Sequence, residues 1–453
     1  MYRFNFVHNV PCVKGCSGWP LTLVAIPLLF TLTCQAQVSG QSLGQAPLTV
    51  FKGCCSLSLL WVSLTLTEKK MQGEEKKRCK LAHILAIFLI VLCTVSFYVC
   101  SQEIYKSDLH EFEVERVVDG LSHPWGIAFL PEGGFLVTER LGNLRIVSKK
   151  GTLSPPVEGL PKVAAAGQGG LMDIVLHPQF TENSTIFMSF VGESKGLLGT
   201  EVLRGVLFDG KLTNVEIIFK ALPKSRGGRH FGSRLFFLKD GSLLVSLGDR
   251  GHRPNGQSLA THPGSIVRID VDGGYPHDNP FVRNQSALPE MYTFGNRNVQ
   301  GLFWDEQTDN IWATEHGPQG GCELNLIKPG LNYGWAEVTH GRNYIVGTRI
   351  GEGTSRMDVA PPVFYWSPSN APSGLTLYRG DAFPEWNGNL FLGSLRFRGL
   401  SRLTLKGNEV DSEERLLEGK IGRVRTVVTG PDGFIYILTD ENDGQVLRLQ
   451  PPS

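Results

Sequence analysis

Beyond residue 100 this chain has almost no cysteine. Eight of its nine cysteines lie at or before Cys100, and Cys322 is the only one after it. A single thiol closes no internal disulfide, so the long C-terminal part must be held by its core. No CxxC…CxxC or Cys/His spacing for structural zinc is present. An excess of one charge is missing too. There are 44 Lys and Arg against 43 Asp and Glu, a formal net charge of +1. That excludes the basic footprint of a nucleic-acid-binding domain. Long helical patterns are scarce. What is plentiful is glycine, 53 residues, and proline, 26 residues, spread between short apolar runs. Such spacing signals many turns between short strands.

The first hundred residues differ from the rest. Leu21 to Leu32 and Ser56 to Leu66 are apolar but too short to span a bilayer, and Cys34-Gln35-Ala36 offers small residues for signal-type cleavage. Ile84 to Val99, extended by Leu81 and Ala82, is just long enough to span. Lys69, Lys70, Lys76, Lys77, Arg78 and Lys80 precede it; Gln102, Glu103 and Asp108 follow. This bias places the N-terminal flank in the cytosol and the C-terminal domain outside. From Met71 the chain reads as a complete N-terminus, so the start at Met1 or Met71 stays open. The expected organisation is a poorly structured extension (1–80), a transmembrane or signal-anchor segment (81–100), a linker (101–110) and one folded domain (111–453). The domain is then exported, either anchored to the membrane or secreted after cleavage.

Within that domain one unit recurs: a Gly, Asp or Asn turn followed by an apolar strand. It appears at Phe135-Leu136-Val137, Ile186-Phe187-Met188, Leu243-Leu244-Val245, Ile311-Trp312-Ala313, Leu390-Phe391-Leu392 and Ile435-Tyr436-Ile437. Six such units without interleaved helices predict an all-β, six-bladed β-propeller. The strand near Phe112 to Val118 is expected to close the ring with the C-terminal unit. A β-sandwich is the alternative, which the sixfold recurrence disfavours.

Gly227 to Gly251 reads as a hairpin: Leu235 to Leu238, a turn at Asp240-Gly241, then Leu243 to Leu247. His230 stands before one strand and Asp249 after its partner, so both reach one rim, as an oriented general base requires. Further polar inserts follow one another through the domain: GQGGLMDIVLHP, RHFGSRLFF, GDRG, RIDVDGG, FGNRNVQG, EHGPQGG, NYGW and RTVVTGPDGFIYILTD. The first is no Walker loop, lacking Gly-Lys-Ser/Thr. The Asp-x-Asp-Gly of the fourth is no EF-hand, because Phe281 stands where the bidentate Glu belongs.

In this order the inserts resemble the soluble PQQ-dependent glucose/sorbosone (aldose sugar) dehydrogenases, from about Val114 to Leu449. The resemblance implies a six-bladed propeller that oxidises the anomeric carbon of an aldose to a lactone with PQQ and calcium. It implies His230 as the general base, oriented by Asp249. It places Gln168, Arg297, Asn298, Tyr344, Arg396, Arg423 and Arg425 at cofactor positions. The arginines would suit the carboxylates of this tricarboxylate, and Arg297 with Asn298 would hold the quinone. It assigns Gly317 and Pro318 as carbonyl donors to Ca2+, with Glu323 and Tyr333 at a further calcium site, Tyr333 through its carbonyl. Two departures stand out: Cys322 replaces an acid, and Ser233 a glycine. The sugar, the physiological electron acceptor and the oligomeric state are not named by the resemblance.

Each assignment has a plainer reading. Gly169 and Gly170 serve a turn, Trp125, Trp304, Trp312 and Trp335 fill blade cores, Arg423 and Arg425 alternate on a solvated edge, and Glu323 is a surface carboxylate. Asn183-Ser184-Thr185 and Asn284-Gln285-Ser286 fit glycosylation acceptors. The competing function is a non-catalytic extracellular binding module of the hedgehog-interacting type. Those proteins carry Cys-rich flanks, whereas this domain has Cys322 alone.

Overall fold

The computed structural model describes residues 103–452. The expected membrane segment at 81–100 and the extension before it lie outside the described residues. No helix among the described residues is long and apolar enough to cross a membrane.

Among the described residues, six antiparallel sheets succeed one another in sequence. Blade 1 holds the strands from Pro124 to Val147, blade 2 those from Leu171 to Lys220, and blade 3 those from Leu235 to Phe294. Blade 4 runs from Val299 to Trp366 and blade 5 from Pro372 to Leu416. Blade 6 takes Val424–Thr429, Ile435–Thr439 and Gly444–Gln450, then Glu111–Leu121 and Ile104–Lys106 from the other end. Val114 pairs with Leu449 and Val118 with Val446 in that closing ladder, as expected for a six-bladed propeller.

All six recurring units fall on the second strand of a blade, and packing explains why they look alike. Leu243 and Val245 point to the blade 2 side, and Leu244 points to the blade 4 side. Ile435 and Ile437 face blade 5, whereas Tyr436 and Leu438 face blade 1. A strand squeezed between two neighbours is buried on both faces, so it reads as a continuous apolar run. Six apolar clusters fill the six blade interfaces, the last joining Val118, Leu121 and Tyr436 to Ile127 and Phe135. Trp312 belongs to this core.

The hairpin forms in blade 3, with Leu235 opposite Val245. Its connection is longer than the two residues expected. The Leu238 N–H donates to the Ser242 carbonyl, and Gly241 takes a φ of +85°. Both ends of the hairpin still open onto one rim of the ring.

Candidate active site

His230 and Asp249 meet as their places in the hairpin require. His230 Nδ1 lies 2.6 Å from Asp249 Oδ1. The second carboxylate oxygen accepts from Trp335 Nε1 at 2.7 Å, and Oδ1 also accepts the Gly251 N–H. The backbone approaches closely here: a Cβ on Gly248 would lie 2.3 Å from the His230 carbonyl oxygen, so only glycine fits. Burial pushes the His230 imidazole below its ordinary range; Asp249 opposes this and Arg297 adds to it. Burial pushes Asp249 up, yet its contacts with His230, Gly251 and Arg297 hold it below the usual carboxylate range. The pair is therefore a neutral imidazole beside an ionised acid. With Nδ1–H given to Asp249, Nε2 carries the lone pair.

Beside this pair lies a cavity of about 490 Å³. Gln168, Asn298, Arg396, Arg423 and Arg425 line it. Arg140, Arg398, Trp125, Gln300, His316 and Asp440 line it as well, none of them foreseen as site residues. His230 adjoins the cavity through Gln168, whose Oε1 accepts the His230 backbone N–H at 2.8 Å. Asn298 Oδ1 accepts from Gly232 N–H at 3.1 Å. Arg425 is buried, not a solvated edge. It donates to Gln300 Oε1 at 2.8 Å and to Asp440 Oδ2 at 2.6 Å. Arg423 donates to the Leu395 carbonyl and Arg396 to that of Ser369. Burial favours the neutral acid of Asp440, but Arg425 overrides it and holds the carboxyl far below its usual range. Trp125 is no ordinary core residue either: Arg234 and Arg425 stack over its ring at 4.1 and 5.6 Å. His316 is kept neutral, its pKa pushed down to about 3 by burial and by Arg425 and Arg297.

A second, much smaller chamber of about 10 Å³ lies next to it, lined by Arg297, Glu315, Gly317, Glu323, Tyr333 and Trp335. Glu315 and Glu323 are both buried. Burial raises both carboxyls, Glu323 well above its ordinary range, with Glu315 raising it further. Glu315 is held by Asn296, Asn325 and the Arg297 N–H. Glu323 receives only a long 3.3 Å bond from Asn325. Glu323 is thus no surface carboxylate. The Tyr333 hydroxyl donates to the Leu326 carbonyl and accepts the Lys328 N–H.

Some expected site residues are not brought to either chamber. Tyr344 sits on an exposed loop tip, 61% accessible, beside the fully exposed Ile345, and lines neither. Its loop is closed by Asn343, which bonds to Thr348 through both backbone and side chain. Pro318 is buried but lines neither. Arg297 does not line the larger cavity: it donates to the His316 and Gly317 carbonyls at 2.8 and 3.0 Å. Cys322 does not line the carboxylate chamber, though its Sγ accepts the N–H of Gly317, which does. Its neighbour Glu323 points the other way along the strand, while Cys322 is packed in the interface between blades 4 and 5. Ser233 has a φ of +90°, which explains why glycine would suit that position.

The comparisons with known proteins agree with this architecture. A sequence model of the family described as "Glucose / Sorbosone dehydrogenase" matches residues 121–448. Aldose sugar dehydrogenase YliI of Escherichia coli is 41% identical over 345 residues, 75% of this chain and 92% of its own. The apo-form crystal structure of the soluble aldose sugar dehydrogenase from Escherichia coli superposes with a TM-score of 0.73 at 40% identity, covering 75% of this chain and 100% of that one. The PQQ-bound form of aldose sugar dehydrogenase from Streptomyces coelicolor gives a TM-score of 0.64 at 29% identity, over 75% of this chain and 98% of that one.

Proposed function

Since the chain belongs to the glucose/sorbosone dehydrogenase family, we propose that it oxidises the anomeric carbon of an aldose to the lactone, with PQQ as cofactor. Family membership makes it an oxidoreductase of the quinoprotein kind. The observation that carries the reading is the 2.6 Å His230–Asp249 pair set against an arginine-lined cavity. When bound, PQQ supplies the acceptor for the hydride. The chain's own residues supply the rest. His230 Nε2 takes the proton of the anomeric hydroxyl. Asp249 stabilises the imidazolium that forms, and Trp335 keeps the carboxylate turned toward Nδ1.

The residues present fit such a cofactor. The Nε atoms of half-buried Arg140 and buried Arg425 have no partner, and a planar polycarboxylate would satisfy donors of this kind. Calcium has two candidate places of unequal quality. The chamber of Glu315 and Glu323 has the hard oxygen donors such an ion takes, and a divalent ion would relieve two buried carboxylates. The Gly317 carbonyl fits less well, because it already accepts from the cationic Arg297. A non-catalytic binding module gives no account of a neutral imidazole held beside an ionised acid.

The test is direct. Purified chain is mixed with PQQ and calcium, given aldoses, and turnover is followed with an artificial electron acceptor. The expected result is turnover that His230→Ala lowers by about a hundredfold or more. No turnover with any aldose, or turnover indifferent to His230→Ala, would sink the reading.

A further inference from the structure

The mouth of the large cavity carries more positive charge than the proposed cofactor and sugar use. Five arginines and one carboxylate, Asp440, line the cavity, leaving four net positive charges. A tricarboxylate cancels three of them. Two more arginines stand at the base end, against the one ionised acid there, the buried Asp249. Arg229 directly precedes His230 and is exposed. Arg253 is also exposed, donates to Asn343 at 2.6 Å and lies 5.8 Å from the Trp335 ring. On the far side Arg398 is exposed on a turn with φ of +57°. Among the described residues, neither Arg229 nor Arg398 has a carboxylate partner. The nearby acids are engaged elsewhere: Glu441 accepts the Arg423 N–H, and Glu418 faces Arg415. The whole chain is nearly neutral, so this concentration of charge at one opening is local.

A neutral aldose gains nothing from it. The remaining reactant is the oxidant that withdraws electrons after the sugar has been oxidised. We infer that the electron acceptor served by this site is anionic where it meets the mouth, and that Arg229, Arg253 and Arg398 steer it there. The inference rests on the cofactor reading above. The balance is simple. Each aldose leaves two electrons and two protons on the loaded site. Two one-electron anions such as ferricyanide take one electron each, and the protons pass to water. Because the charge sits at the rim of a cleft with low-dielectric walls, it acts on the encounter rate and is screened by salt.

The test compares ferricyanide, a trianion, with hexaammineruthenium(III), a trication, as oxidants of the PQQ-loaded, aldose-reduced chain. The sign of the salt dependence is read, because it does not depend on driving force. From about 10 mM to about 200 mM salt the ferricyanide rate should fall roughly fivefold or more, and the ruthenium rate should rise or stay level. A second readout needs no turnover. Hexacyanocobaltate(III), of the same charge and shape but not reducible here, should bind the loaded chain in calorimetry. It should bind more weakly to Arg229→Gln/Arg253→Gln/Arg398→Gln, whose ferricyanide salt slope should flatten.

Salt slopes of the same sign for both oxidants, or hexacyanocobaltate(III) binding unchanged in the triple variant, overturn the inference while leaving the sugar dehydrogenase reading standing. So does a preference for glucuronate over glucose that disappears in Arg398→Gln, since the charge then serves the sugar. Failure to take up PQQ overturns both.

Discussion

Trp335 acts on His230 through Asp249. It donates to the outer oxygen of Asp249, and so removes part of the negative charge that would otherwise hold a proton on the imidazole. Burial and Arg297 act in the same direction. The folded-state pKa of His230 is thus lowered, and the competent neutral form persists below the ordinary histidine value of about 6.5. The sign follows: kcat/KM should be level at neutral pH and fall only as pH drops through that lowered pKa. Trp335→Phe keeps the ring but removes the donor. The freed carboxylate then stabilises the imidazolium more strongly, and the acid limb of the kcat/KM profile should move to higher pH. Looser orientation of the base should also lower kcat/KM by roughly ten- to a hundredfold. A profile whose acid limb stays in place while activity falls would reduce Trp335 to a packing residue.

At the scale of the element, blade 4 places Glu315 and Glu323 opposite each other on adjacent strands, both buried. Two carboxylates in that position repel unless a cation or a proton intervenes. Glu323→Gln removes the repulsion together with one cation ligand. The variant without calcium should therefore melt higher than the native chain without calcium. The native chain should gain about 2.7 kcal/mol at a calcium concentration a hundred times Kd, seen as a rise in Tm that Glu323→Gln lacks. An equal calcium-dependent rise in both proteins would remove the chamber from consideration as a cation site.

The same blades show what is legible in a sequence. The six second strands were readable because each is squeezed between two neighbours and so is apolar throughout. His230 and Asp249 were readable because one hairpin joins them. The cavity's other members come from loops of different blades, and only ring closure brings them together. Trp125 and Trp335 carry no local mark that separates a stacked or hydrogen-bonding indole from a core one. Asp440 and Glu315 did carry a signal. Glu139 and Glu315, each after a threonine, end a second strand, Asp440 directly follows the Thr439 that ends another, and Asp249 stands three residues after a fourth. An acid repeated at the rim end of that strand points to the opening. Tyr344 lies in a long insertion, where an aromatic follows its own loop and not the blade register.

Over the whole molecule, stability depends on a closure that the covalent chain does not supply. Blades 1 to 5 are each continuous in sequence, but blade 6 is completed by Glu111–Leu121, more than three hundred residues from its partner Gly444–Gln450. Separation of those two strands would leave an unpaired sheet edge and expose Phe112, Val118 and Leu121, all buried in the closed ring. The domain has no disulfide to resist this, since Cys322 is buried in the interface between blades 4 and 5. Glu115 and Arg448 are direct partners across the closing ladder. Antiparallel partners have Cα atoms about 4.5–5.5 Å apart, within the span a disulfide accepts. Glu115→Cys/Arg448→Cys would forfeit their part-exposed ion pair at 2.5 Å, the Arg448–Asp432 pair at 3.3 Å and the stacking of Arg448 over Phe434, a loss of about 0–1 kcal/mol for each part-exposed pair and about 0.5–1 kcal/mol for the stacking. The bond formed would contribute about 2–4 kcal/mol by constraining the opened chain. The oxidised variant should melt above the same variant under dithiothreitol, which should fall below the native chain. Were oxidised and reduced forms to melt together with the bond shown to be intact, opening at blade 6 would not limit stability, and the weak point of the ring would lie at one of the other five interfaces.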